Sequence, residues 1–325
     1  MRSPFLLGFT LLVLAASIFG CSQRPQTLTK KDASILVEVV NKALSNQYFD
    51  KSKAPGLVAK IALLHRNRGL ENISPVDAAR LITDLLRKET NDKHFNVIAY
   101  PSIAPSEAVV NTPKLSVAGI SQYQVMKHNI GYIRWDACFA GEEAFKEWRK
   151  VLERLKDCRL LIFDLSDNPG GDGASSAFVN QFLYRNKSYQ SLLQKKCTGE
   201  RDWHQSEVIF DYNAGPSFFD KPIYIITSKK TFSAAEYFVL TAKEMNRAVI
   251  LGDTTAGAGN PGSFFSFRVP DTDTIFWMFI PNCQIITRNG HSIEGVGVAP
   301  HILLKNTDYL QATLKYIRKE TIKSN

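Results

Sequence analysis

Two short stretches of the chain carry residue types suited to acyl transfer. In Thr231-Phe232-Ser233-Ala234-Ala235-Glu236 a hydroxyl stands at the start of a helical pattern, shortly after the apolar, β-branched run 223–227. In Ser166-Asp167-Asn168-Pro169-Gly170-Gly171-Asp172-Gly173 a glycine-rich turn follows the apolar run 160–165 and precedes another helical pattern. Glycines let main-chain N–H groups face a ligand at a helix N-terminus, where the dipole favours negative charge, so this turn suits an oxyanion. Each stretch also has an ordinary explanation: Ser233 can cap its helix in a box with Glu236, and glycine clusters make turns. The pairing matters more than either part. Neighbouring parallel strands set their C-terminal turns side by side, where open α/β sheets bind ligands. A hydroxyl on one turn then faces N–H groups on the other.

The surrounding pattern supplies such a sheet. Between residues 32 and 90 apolar side chains fall at helical spacing: Ile35, Leu36, Val39 and Val40, then Val58, Ile61 and Leu64, then Ala78, Leu81 and Leu85. This predicts three helices. Ser74-Pro75 opens the third, with the proline at a first-turn position where its missing N–H costs nothing. After His94 the runs 95–100, 115–120 and 130–135 are short, β-branched and aromatic, and read as strands. The chain then alternates helix 142–156, strand 160–165, helix 174–184, strand 223–227, helix 234–245 and strand 248–251, with a closing helix at 308–318. Such alternation predicts an α/β fold around a largely parallel sheet. The run Phe276-Trp277-Met278-Phe279 reads as a buried strand or as the lining of an apolar pocket.

With 325 residues and 44% hydrophobic content the chain can bury a full core, which excludes a disordered protein. Its formal charge of +9 is spread over helix faces, where Lys146, Arg149, Lys150 and Arg154 mix with Glu143 and Glu147. No basic stripe marks a nucleic-acid surface. Residues 1–20 join Arg2 to an apolar run and predict a signal peptide. Cys21, directly after Ile18-Phe19-Gly20, resembles the lipobox cysteine of bacterial lipoproteins. That implies cleavage before Cys21, lipidation on it, and a membrane anchor in the bacterial cell envelope, at the periplasmic or outer-membrane face. An ordinary secretory signal and an uncleaved anchor are the alternatives. Residues 21–30 then form a polar, lipidated linker, 31–92 a small three-helix N-terminal domain, and 93–325 the core. Cys138, Cys158, Cys197 and Cys283 show neither C-x-x-C nor metal-ligand spacing; one disulfide and four buried thiols both fit.

Four motifs stand in order along the chain: LLIFDLSDNPGG at 160–171, ITSKKTFSAAE at 226–236, GDTTAG at 252–257 and EGVGVAP at 294–300. Together with DKHFNV at 92–97 they resemble the tail-specific, or C-terminal processing, serine peptidases. The resemblance spans roughly residues 30–320 and is to the branch of the interphotoreceptor retinoid-binding protein repeats and the tricorn protease core. It implies a crotonase-like (ββα superhelix) core and a serine endopeptidase acting on exported proteins or peptides without metal or organic cofactor. In that scheme Ser233 is the nucleophile, and the N–H groups of Ala234 and of Gly170 or Gly171 form the oxyanion hole. His94 is the general base, a task that suits imidazole because its pKa lies near neutrality. Glu294 is the acid that polarises it.

Departures from the family pattern refine these expectations. Ala258 stands where Ser-Lys members carry the lysine, which argues against a Ser-Lys dyad. Lys93 stands where a serine relays Glu294 to the histidine, leaving Glu294 to act through water, by direct contact with His94, or as an ion pair with Lys93. Ser166 replaces a supporting arginine. The segment 97–130 is too short for a PDZ module, so a peptide substrate would be held by strand addition beside the active-site turns. His65, His128, His204, His291 and His301 read as structural, with His291, close to Glu294 in the chain, as the reserve candidate. The retinoid-binding repeats carry apolar ligands on the same scaffold, so a non-catalytic lipid- or peptide-binding protein is the alternative.

Overall fold

The computed structural model describes residues 27–101, 115–206, 210, 215–270, 272, 274–304 and 308–323; the signal segment and Cys21 lie outside them. The elements run α1 (Lys30–Gln47), α2 (Ala54–Arg66), α3 (Pro75–Thr90), β1 (Asn96–Pro101), β2 (Ile120–Met126), β3 (Ile130–Trp135), α4 (Glu142–Leu155), β4 (Leu160–Asp164) and α5 (Gly173–Asn180). They continue with β5 (Leu193–Cys197), β6 (His204–Gln205), β7 (Ile223–Thr227), α6 (Ala234–Glu244), β8 (Val249–Gly252), β9 (Gly262–Arg268), β10 (Thr274–Pro281), β11 (Cys283–Thr287), β12 (Ile302–Leu303) and α7 (Tyr309–Lys323).

A mixed six-stranded sheet in the order β12-β8-β7-β4-β3-β2 forms the centre; its pairs are parallel except β3 with β2. Side chains of β4 alternate between its faces, as strand geometry requires. Leu161 and Phe163 join Trp148 of α4, Phe178 of α5 and Phe238 of α6 in one cluster. Leu160 and Ile162 meet Leu314 and Ile317 of α7 in another. Helices on both faces explain why this strand is an unbroken apolar run ending in one buried aspartate. On α4 the stripe Ala144, Trp148, Val151, Leu152 and Leu155 supplies the buried face, and Trp148 meets Trp135 edge to face at 4.8 Å. Truncating such a buried indole costs about 3–5 kcal/mol.

The N-terminal helices are built on local capping. Thr29 and Asp32 form a capping box at α1, and Ser74 accepts the Asp77 N–H at α3. Just before α1, Leu28 is fully buried and exchanges main-chain bonds with Asn72 and Ile73 (2.8 and 2.9 Å). The folded body therefore reaches into the stretch 21–30 that composition marks as linker. The apolar faces of α1 to α3 share their cluster with Val97 of β1 and with Phe276, Met278 and Ile280 of β10. An antiparallel sheet β1-β10-β9 thus closes the core of the helices.

Three local expectations shift. The strand read at 115–120 is instead β2, Ile120–Met126; residues before it turn through Gly119, whose φ of +77° and contact with the Ala137 carbonyl leave no room for a side chain. As an edge strand β2 is mostly exposed, so its glutamines hide it from a search for apolar runs. Helix 174–184 stops at Asn180, while Phe182 and Leu183, which continue the apolar rhythm, are buried from turns. The aromatic run 276–279 is neither all core nor all lining: Phe276 and Met278 are buried, while Trp277 is 43% exposed and Phe279 faces the cleft described below. A third sheet has the order β11-β5-β6, and Cys197 and Cys283, opposite each other in its register, form a disulfide. Cys138 and Cys158 are buried thiols.

Candidate active site

The loops after β4 and β7 meet, as parallel neighbours predict. Thr231 Oγ1 donates to the Leu165 carbonyl at 2.8 Å, the Phe232 N–H to the Asn168 carbonyl at 3.0 Å, and Ser228 Oγ to the Ser166 carbonyl. A methyl on Gly170 would stand 2.6 Å from the Phe232 oxygen and 2.8 Å from Ser233 Cβ, at a φ of +86°, so only glycine lets the turns approach. Asn168, fully buried, holds the turn: its amide donates to the Trp135 carbonyl and its Oδ1 accepts the Gly170 N–H, at 2.9 and 2.8 Å. The structure distinguishes the two glycines of the pair. The Gly170 N–H is spent inside the loop, whereas those of Gly171 and Ala234 have no acceptor among the described residues.

Ser233 begins α6 with φ +52° and ψ −122°, a conformation that strains any side chain. Its neighbours over-determine it. The buried Glu236 carboxylate accepts the N–H groups of Ser233, Gly257 and Ala258 at 2.9, 2.7 and 2.8 Å and the Thr255 hydroxyl at 2.5 Å. Local spacing reads Glu236 only as a cap; its further contact, clamping the 255–258 loop to the helix start, depends on residues distant in the chain. Ala258, at the lysine position of Ser-Lys members, is fully buried.

Ser233 Oγ lies 3.0 Å from His94 Nε2. The imidazole is 7% exposed and sits between the rings of Phe232 and Phe279, at 4.8 and 5.6 Å. Behind it are two carboxylates. Asp92 Oδ1 accepts the main-chain N–H of His94 at 2.9 Å and lies 3.6 Å from its Nδ1, while Asp92 Oδ2 accepts from Asn260 Nδ2 at 2.9 Å. Glu294 Oε2 accepts the Gly259 N–H at 2.7 Å. Ligand atoms of Asp92, His94 and Glu294 lie within 4.8 Å of one another, close enough to grip a cation, but the bond from His94 to Ser233 suits proton transfer. Burial, reinforced by the charge of Asp92, pushes the Glu294 carboxyl up to about 8 against the N–H groups of Gly259 and Asn260. Asp92 was missed in the sequence; its signal was an acid two residues before the candidate base.

Lys93 makes no ion pair with Glu294 among the described residues; its ammonium donates to the Ala256 carbonyl. Ser166 bonds Asp164 at 2.6 Å, and the cation beside that aspartate comes from Arg134, which also pairs with Asp136 and Asp167. Of the histidines read as structural, His301 Nδ1 accepts the Ile250 N–H at 3.0 Å, between β8 and β12, and His65 and His204 bond at exposed positions. The cleft over Ser233 has a volume of about 340 Å³.

Residues 129–304 match the model of peptidase family S41, which is more than half of the chain. The chain belongs to that family, the class its motifs resemble. A protein of Chlamydia trachomatis serovar D is 35% identical over 89 residues, 27% of this chain and 14% of that protein. The carboxy-terminal processing protease CtpB of Bacillus subtilis is 26% identical over 195 residues, 59% of this chain and 37% of that protein. The chain thus spans well under half the length of both relatives. Among solved structures, a peptidase candidate from Parabacteroides merdae has a TM-score of 0.60 at 18% identity, covering 89% of this chain and 97% of that one. The tricorn protease has a TM-score of 0.60 at 13% identity, covering 91% of this chain and 37% of that one. At these identities the two likenesses concern the fold alone.

Proposed function

We propose that the chain is a serine endopeptidase that hydrolyses peptide bonds of exported proteins or peptides through a Ser233 acyl-enzyme. The observation that carries this reading is the 3.0 Å contact between Ser233 Oγ and His94 Nε2. In the step it supports, Oγ attacks the scissile carbonyl while its proton passes to Nε2, and the same nitrogen then protonates the leaving amine. Water repeats the sequence on the ester. The tetrahedral oxyanion is met by the N–H groups of Gly171 and Ala234, two donors fixed before reaction and aimed where charge develops. Nδ1–H of His94 faces Asp92, which stabilises the imidazolium as it forms. Glu294, held at Gly259, backs that carboxylate.

β9 is the outer strand of its sheet and begins at Gly262 on the cleft wall, so an extended substrate can add to its edge through main-chain bonds. A crotonase-like core over 93–325, a helical N-terminal domain over 31–92, and a lipid anchor on Cys21 that keeps the enzyme in the bacterial cell envelope belong to the same proposal. They rest on the motif resemblance and on the lipobox-like N-terminal segment. A carrier of apolar ligands, the second reading, draws on the aromatic lining of the cleft, yet it gives no account of a strained serine bonded to a buried imidazole. A fluorophosphonate probe should label the wild type and neither Ser233→Ala nor, at comparable rate, His94→Ala. Labelling that persists in Ser233→Ala rejects the assignment.

A further inference from the structure

Behind the imidazole two carboxylates share one pocket without a compensating cation. Among the described residues neither Asp92 nor Glu294 pairs with a lysine or arginine, and Lys93, next to both Asp92 and His94 in the chain, directs its ammonium at the Ala256 carbonyl instead. Three buried polar atoms of this pocket have no hydrogen-bond partner among the described residues: His94 Nδ1, Glu294 Oε1 and Asn260 Oδ1. Buried polar atoms of folded proteins are nearly always paired, so such a group points to a ligand. His94 is 7% exposed, and its Nδ1 faces Asp92 Oδ1 at 3.6 Å. One ligating atom from each of Asp92, His94 and Glu294 lies within 4.8 Å of the others. Zinc bonds imidazole nitrogen and carboxylate oxygen at about 2.0–2.2 Å, which sets two ligands of a tetrahedral ion about 3.3–3.6 Å apart. Asp92 and His94 already have that separation, and the Glu294 carboxylate has about 1 Å to close.

We propose that Asp92, His94 Nδ1 and Glu294 form a site for one Zn2+ ion, with water in the fourth position, and that the ion silences Ser233. A neutral imidazole carries one proton. With zinc on Nδ1 that proton resides on Nε2, which then donates to Ser233 Oγ across the 3.0 Å contact instead of accepting from it. The hydroxyl is left without a base. The ion is thus an inhibitor and not a cofactor. Its silencing effect rests on the peptidase reading above; its binding does not.

Binding is read on full-length Ser233→Ala, which keeps all three ligands and needs no activity. Protein stripped with a chelator is titrated with Zn2+ against a fluorescent zinc indicator. One equivalent should bind. Adding Glu294→Gln or Asp92→Asn, each verified by its melting to be folded, should weaken it at least about tenfold, because even an outer partner of a metal ligand is worth that much. Exchanging the exposed His204, which stands 3.4 Å from Glu200, for alanine should leave the affinity unchanged. In the wild type, saturating Zn2+ should slow fluorophosphonate labelling by about a hundredfold or more, the contribution of a general base, and excess chelator should restore it. No stoichiometric binding, an affinity unmoved by both carboxylate exchanges, or a labelling rate that bound zinc leaves unchanged overturns the proposal. A wild type that takes no label even without zinc fails the peptidase reading instead, and the titration then decides the zinc site by itself.

Discussion

The two carboxylates behind His94 should respond very differently to neutralisation. Burial and the charge of Asp92 push the Glu294 carboxyl up to about 8, so neutralising it should matter less near pH 7 than removing the Asp92 charge. Replacing Asp92 by Asn removes a negative charge 3.6 Å from Nδ1 of the imidazole. At an effective dielectric constant of about 20 that charge favours the imidazolium by about 4–5 kcal/mol, or about three powers of ten in rate if fully expressed in the transition state. Glu294→Gln replaces a carboxyl pushed toward its neutral form by a neutral amide of the same shape, so activity at pH 7 should stay within about fivefold of wild type. Above pH 8 the wild type gains a second charge near His94 and should outpace Glu294→Gln. The assay is kcat/KM for a fluorogenic peptide from pH 5 to 10, with thermal melts to verify folding. If Asp92→Asn keeps wild-type turnover, or if Glu294→Gln is as inactive as Asp92→Asn at pH 7, the argument is refuted.

Three further outcomes are expected. Ser233→Gly should raise stability by about 1–2 kcal/mol in urea titrations, because glycine relieves the positive φ; unchanged or lower stability would count against strain there. Glu236→Gln should cost about 2–4 kcal/mol and abolish probe labelling, since an amide nitrogen cannot accept from the N–H groups that the carboxylate now satisfies; wild-type melting would dismiss the clamp. For Glu294, whose folded pKa exceeds its unfolded one, the native state holds an extra proton between the ordinary carboxylate range and about pH 8. Stability should therefore fall as pH rises through that window, and Glu294→Gln should flatten the slope.

Much of the site was legible because it is written in short, contiguous signals. The glycines of the 166–173 turn and the Thr-Phe-Ser motif follow apolar strands, and the fold sets them side by side as parallel neighbours require. His94 came from the family resemblance rather than from local pattern. What stayed hidden depends on contacts between distant segments. Glu236 looks like a cap until the 255–258 loop closes over it, and no spacing rule tells which glycine of the 170–171 pair loses its N–H to Asn168. β9 and β11 escaped because their partners are antiparallel neighbours set by tertiary packing, with exposure alternating along β9.

The sheet β1-β10-β9 binds the beginning of the chain to its later part, and its pairing of Asn96 with Phe279 seats His94 beside the ring that flanks it. A ribosome finishes the segment bearing His94 first and Ser233 139 positions later, and the strand that steadies the imidazole emerges later still. Because domains assemble as units, N-terminal part first, a half-made polypeptide carries His94 but not yet Ser233, and their contact forms only when the later part is made. On the peptidase reading proposed above, such a chain would be unable to cleave a neighbour until translation is nearly complete.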